Sequence, residues 1–115
     1  MGHSTNVVLA ALALFVASCS SNTGEFFLIN KAGEPIASAS VVICGQLIEL
    51  KGVERNKTVG GSYKVTADSH YTIQVEFESG RMLKKEAGYV TRGMDFRHEI
   101  VVTDSDIEIA DTKVK

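Results

Sequence analysis

The chain reads as an all-β sandwich of seven or eight short strands. Three observations lead there: apolar and polar residues alternate with a period of two over most of the chain after residue 24, turn-forming residues recur about every 8–12 positions, and no stretch of that part has the 3.6-residue periodicity of an amphipathic helix.

Taken in order, Glu25 to Asn30 is a short apolar run that ends in the polar turn Lys31-Ala32-Gly33-Glu34-Pro35. Ala39 to Cys44, rich in Val and Ile, is the second strand, and Gly45-Gln46 breaks or bends the chain before Leu47 to Leu50. A polar stretch from Lys51 to Thr58 reads as a loop, with Gly60-Gly61 just before the short alternating strand Ser62 to Thr66. The clearest strand is Tyr71 to Phe77, in which Tyr71, Ile73, Val75 and Phe77 share one face and the polar residues share the other. Glu78-Ser79-Gly80-Arg81 supplies a hairpin turn, and Met82 to Glu86 and Gly88 to Thr91 form the return. Phe96 to Thr103 alternates again, with Phe96, His98, Ile100 and Val102 on one side, and Asp106 to Ile109 closes the pattern as an edge strand.

Length and charge limit what such a domain can be. With 115 residues there is room for one small core, which buries only about 60–65% of its unfolded surface. Twelve Lys and Arg against fourteen Asp and Glu give a formal charge of −2, with the two signs interspersed after Glu25. Nucleic acid is an unsuitable partner, because phosphate binding needs a clustered basic stripe. The one basic cluster, Lys84-Lys85 with Arg81 nearby, is flanked by Glu78 and Glu86 and reads as a solvated strand face.

The start of the chain is of another kind. Val7 to Val16 is ten apolar residues without a charge, and a helix of that length spans roughly 15 Å, half of a ~30 Å hydrocarbon core. It suits the helical h-region of a signal peptide. Val16-Ala17-Ser18-Cys19 then resembles the lipobox of bacterial lipoproteins: an aliphatic residue, two small residues, and the cysteine that receives the lipid. The resemblance implies that residues 1–18 are a signal peptide, that Cys19 is alkylated with diacylglycerol and becomes the acylated N-terminus, and that residues 19–24 are the lipidated cysteine and a short tether. The domain would then occupy 25–110, with 111–115 as a flexible tail. Met1 to Asn6 departs from the pattern in having no Lys or Arg. Ser20, a residue other than aspartate after the cysteine, resembles the default that sends such lipoproteins to the outer membrane.

A second resemblance lies in the domain. Gly33-Glu34-Pro35-Ile36 followed by Ala39 and Val41, then Gly61-Ser62-Tyr63-Lys64-Val65 and Tyr71-Thr72-Ile73-Gln74-Val75, look like the turn and strands of carboxypeptidase-regulatory-like domains. The Thr-Asp pair that often precedes the Gly-x-aromatic step is absent; Thr58-Val59-Gly60 stands there. The resemblance implies a Greek-key, transthyretin-like or immunoglobulin-like sandwich that is usually non-catalytic.

Catalytic and metal chemistry finds little support. Once Cys19 carries lipid, Cys44 is the one remaining thiol, and its neighbours Val41, Val42 and Ile43 suit a buried, inert cysteine. His70 and His98 have no Cys or His at ligand spacing and read as surface or rim histidines. Asp104, Asp106 and Glu108 resemble the start of a calcium loop but lack its turn glycine and its bidentate glutamate, so they are expected on the solvent face of an edge strand. No metal or small-molecule cofactor is expected besides the covalent lipid.

These readings converge on a non-enzymatic lipoprotein of the bacterial outer membrane, facing the periplasm, with the bilayer and another envelope protein as partners. Narrower forms are an assembly factor of a secretion machine, or an inhibitor or protective factor against lysozyme or phage that inserts a loop into its target. The candidate loops are Lys51–Thr58 and Ala87–Asp95, the latter because Tyr89, Arg92 and Met94 stand among glycines. The competing expectation packs Tyr89 and Met94 on the core.

Overall fold

The structure is a computed structural model, and it describes residues 22–112. The lipobox-like segment and Cys19 lie outside the described residues, as do residues 113–115. Eight strands follow one another: β1 (Asn22–Asn30), β2 (Ile36–Ile43), β3 (Gln46–Val53), β4 (Thr58–Val65), β5 (Ser69–Phe77), β6 (Met82–Val90), β7 (Phe96–Val102) and β8 (Ile107–Asp111). They form two four-stranded sheets, ordered β4-β1-β7-β8 and β3-β2-β5-β6. All pairs are antiparallel except β1 with β7, which run parallel from Gly24 opposite Phe96 to Asn30 opposite Val102. Two hairpins, β2-β3 and β5-β6, meet through β2 and β5 to build the second sheet.

The period of two does the sorting. On β5 the buried residues are Tyr71, Ile73, Val75 and Phe77, with half-buried Thr72 and exposed Gln74 and Glu76 between them. On β1 they are Gly24, Phe26, Leu28 and Asn30. Inward residues from both sheets form one apolar cluster, with Phe26, Leu28, Ile36, Val41, Ile43, Tyr71, Ile73, Val75, Ile100 and Val102 all at zero exposure. Each large aliphatic or aromatic side chain so buried stabilises the fold by about 1.5–3 kcal/mol relative to exposure.

Two glycines make room for aromatic core residues. A Cβ on Gly61 would overlap the Phe26 ring, and one on Gly24 would overlap Tyr63. The Gly60-Gly61 pair therefore belongs inside β4, opposite Phe27 and Phe26, instead of preceding the strand. β1 likewise begins three residues earlier than expected, because Asn22, Thr23 and Gly24 pair with Val65, Lys64 and Tyr63. The expected loop Lys51–Thr58 shrinks to residues 54–57 between β3 and β4, and Ala87–Val90 are strand.

Strand directions divide the connections between two ends. One end gathers the β1-β2 turn, the β3-β4 loop, the β5-β6 turn and the β7-β8 turn. The other gathers the start of β1, the β2-β3 turn, the β4-β5 loop, the β6-β7 loop and the end of β8. The second is called the chain-start end below.

At the opposite end, Asn30 is fully buried and acts as a clamp. Its Nδ2 donates to the carbonyls of Glu34 and Val53, and its Oδ1 accepts from the Ala32 N–H. Glu34 accepts from the Ser79 N–H and hydroxyl and from Arg81, which also donates to the Asp104 carbonyl at 2.6 Å. Desolvation works upward on the Glu34 carboxyl, but these hydrogen bonds outweigh it and hold the group below its ordinary value. Three turns distant in sequence are thereby joined.

Two acidic positions differ from expectation. Asp104 and Asp106 lie in the β7-β8 turn, not on the strand: Asp104 Oδ1 accepts the Gly33 N–H, and Asp106 accepts from the Ile107 N–H and from Lys85 Nζ. Of the three acids only Glu108 lies on edge strand β8, where it is exposed. Lys85 is not on a fully solvated face either, since it sits opposite the inward-facing Ile73 on edge strand β6 and reaches Asp106 at 3.1 Å. A charge turned inward on an edge strand discourages a second sheet from adding there.

Candidate functional site

The chain-start end holds the candidate residues Tyr89, Arg92 and Met94, while the other candidate loop, between β3 and β4, lies at the opposite end. The construction of the chain-start end begins with a tight hairpin. Ile43 pairs with Gln46, leaving Cys44-Gly45 as a two-residue turn with φ of 52° and 70°. Two positive φ values are those of the turn whose twist matches that of the flanking strands. Cys44 is therefore not the buried core cysteine expected. It is half-buried at the turn, its N–H donating to Ser69 Oγ and its Sγ to the Ala67 carbonyl. The neighbouring apolar residues gave the wrong signal, because the turn interrupts the alternation at this residue.

The β6-β7 loop, residues 91–95, lies beside it. Its backbone is held at both sides: the Arg92 N–H donates to Asp68 Oδ1, and Asp95 Oδ1 accepts from Asn22 Nδ2 at 2.9 Å and the Thr23 N–H at 3.0 Å. The Asn22 hydrogen bond first, then that from Thr23, hold the Asp95 carboxyl below its ordinary value. Of the three candidate residues, Tyr89 is 60% exposed on β6, Met94 is 53% exposed in the loop, and Arg92 is exposed between them in sequence. Tyr89 and Met94 thus do not pack on the core. The expectation that they would is corrected: Tyr89 pairs with the exposed His70 on the outer face, while its neighbour Val90 takes the buried place.

Behind this end lies a buried polar chain that sequence reading missed. The Tyr63 and Tyr71 hydroxyls are 2.6 Å apart, and the Tyr71 hydroxyl is 3.0 Å from His98 Nδ1. The rings meet edge to face, and Phe96 stacks on His98 with the planes 10° apart. Burial raises the phenol of Tyr71, aided by its hydrogen bond with Tyr63, and raises that of Tyr63 as well. Burial lowers the proton affinity of His98, against a smaller opposing pull from Asp111. His98 is 3% exposed, so the rim position expected for it is corrected. The signal was present in the strand pattern: Phe96, His98, Ile100 and Val102 share one face, and that face is the core. His70, by contrast, is an exposed residue 3.6 Å from Glu86. The two histidines are on different sheets and are not brought together.

The outer face of the second sheet carries a shallow groove of about 190 Å³, floored by Ser38 and Ser40 and walled by Glu49, Lys51, Gln74 and Glu76. It arises because β2 presents small residues between long side chains on β3 and β5. Among the described residues, no three His, Cys, Asp or Glu side chains gather closely enough to hold a metal ion. No helix of the described residues is long and apolar enough to cross a membrane.

No protein-family model matches the chain, and no curated protein matches it. Among solved structures it is similar to the NMR structure of a protein from Eubacterium rectale, at 14% identity and a TM-score of 0.58, over 82% of this chain and 92% of that one. At that identity the likeness concerns the fold alone.

Proposed function

We propose that this chain is a non-enzymatic lipoprotein of the bacterial outer membrane, whose sandwich serves as a binding or structural module on the periplasmic side. The observation that carries the reading is the position of the lipobox-like Val16-Ala17-Ser18-Cys19: its cysteine stands three residues before Asn22, where the first strand begins. A leader removed at that cysteine would leave the sandwich whole. Two sheets with the single parallel pair β1-β7 at the centre of one of them are in keeping with a transthyretin-like, Greek-key module. The non-enzymatic part of the reading is supported by the setting of the polar chain Tyr63-Tyr71-His98, which is closed within the core and serves packing. The binding function then falls to exposed surfaces, and the partner is another envelope protein.

The N-terminal peptide of the protein from membrane fractions tests this. Its mass is expected to show an acylated residue 19 and no residues 1–18, whereas Cys19→Ala abolishes both the acyl mass and the cleavage. A membrane-bound chain that keeps residues 1–18 with an unmodified cysteine would sink the proposal. Crosslinking in intact cells then seeks the envelope partner.

A further inference from the structure

The exposed apolar side chains of the sandwich are not spread evenly. Among the described residues the large exposed ones are Val42, Leu47, Met82, Tyr89 and Met94. Val42 and Leu47 face each other across β2 and β3 one residue pair from the hairpin turn, Tyr89 is next to last on β6, and Met94 is in the β6-β7 loop. All but Met82 therefore belong to the chain-start end. The same end carries the exposed Arg92 and Lys64 together with the exposed acids Asp68, Asp95 and Asp111, of which Asp68 and Asp95 each turn a carboxylate oxygen onto a neighbouring backbone N–H. An arginine, a lysine, a tyrosine and three aliphatic or thioether side chains on one blunt end are the residue types that settle at the boundary between headgroups and acyl chains.

The length of chain between Cys19 and the sandwich selects the occupant. Asn22 is tied to Asp95 in the very loop that carries Arg92 and Met94. Three residues of fully extended chain reach about 11 Å, so an acylated Cys19 would hold this end within the depth of a headgroup layer. We infer that the chain-start end, with Leu47, Val42, Tyr89, Arg92 and Met94, docks on the bilayer interface and orients the sandwich upright on the membrane. The inference rests on the lipoprotein reading above and adds an orientation to it. It also places the candidate loop against lipid, so that the envelope partner meets the opposite end or a sheet face instead.

The chain has no tryptophan, so a single introduced one reports its own surroundings. Leu47→Trp and Met94→Trp place it at the docked end, and Arg55→Trp places it in the exposed β3-β4 loop at the opposite end. Each full-length variant is purified from membranes, its N-terminal peptide is weighed for acylation, and the acylated protein is reconstituted in phosphatidylethanolamine and phosphatidylglycerol vesicles containing brominated lipid. Quenching of the Leu47→Trp and Met94→Trp proteins is expected to exceed that of Arg55→Trp at least threefold. An acylated protein whose three tryptophans are quenched alike, or whose Arg55→Trp is quenched most, overturns the orientation and leaves the anchor standing. A protein with an unmodified Cys19 overturns the lipoprotein reading, and the orientation falls with it.

Discussion

The phenol of Tyr71 donates or accepts at both of its neighbours, and the side chain has no solvent-exposed surface. Its ring is buried, its hydroxyl bridges Tyr63 and His98, and every buried side-chain nitrogen or oxygen among the described residues has a partner. Removing the bridge leaves two polar groups facing each other without it. Tyr71→Phe is therefore expected to cost about 1–3 kcal/mol, read as a melting temperature lower by about 4–8 °C for each kcal/mol in a domain of this size. His98 adds a pH dependence whose sign follows from burial. Its folded-state proton affinity lies below the ordinary value of 6.5, so the unfolded chain takes up the proton first as pH falls. The His98 contribution is full above that ordinary value, declines as pH drops below it, and is lost once pH has passed through the lowered folded value. Thermal melts of the wild type between about pH 7 and pH 5 should show the decline, and His98→Asn, though less stable, should flatten it. A decline that persists in His98→Asn would assign it to another group. The strand pattern put His98 on the face of Phe96, Ile100 and Val102, but the partner that satisfies it there, Tyr71, is 27 residues away and was not legible.

At the scale of the element, the β2-β3 hairpin illustrates how a turn decides a register. Cys44 occupies a positive-φ position that asparagine tolerates far better than cysteine does. Cys44→Asn would place Asn-Gly, the favoured pair for this turn, between Ile43 and Gln46. It is expected to raise stability by about 0.5–1 kcal/mol, seen as a higher urea midpoint at unchanged slope. A lower midpoint would show that the contact of Sγ with the Ala67 carbonyl outweighs the backbone preference. The same hairpin marks what sequence could and could not reveal. Tyr71 to Phe77 was plain, because four consecutive inward positions are apolar and the residues between them polar. The bounds of β3 and β4 were not, because Lys51-Gly52 and Gly60-Gly61 look like loop yet lie within strands: Lys51 faces Ser38, and Gly60 and Gly61 face Phe27 and Phe26. Strand ends there are set by residues on another strand, which periodicity within one strand does not record. The exposed positions of Tyr89 and Met94 were hidden in the same way, since large apolar residues near a strand end signal core unless the register is known.

For the whole molecule, the central question is how the start of the chain is coupled to the rest. β1 is flanked on both sides, by β4 and by β7, and its parallel pairing with β7 joins segments 72 residues apart, as Glu25 and Arg97 also do through an ion pair at 3.1 Å. Such non-local pairing forms late and cooperatively. The centre of β1 is therefore expected to open only with the whole domain, whereas its first residues depend on a local hold, Asp95. Amide hydrogen exchange separates the two. In Asp95→Ala the Thr23 N–H loses its acceptor and should exchange much faster, while the amides of Phe26 and Leu28, paired in the middle of the sheet, keep their protection. Acid should act in the same direction on the wild type. Because the folded Asp95 carboxyl lies below its ordinary value of 3.8, the hold is intact above that value and is lost as pH falls through the lowered one. If Leu28 loses protection together with Thr23, the strand opens as one unit from its first residue, and a pull on the chain start is transmitted straight into the core. If Thr23 alone is freed, the first residues of β1 yield before the core does, and the loop bearing Arg92 and Met94 is released from the chain start at the same moment.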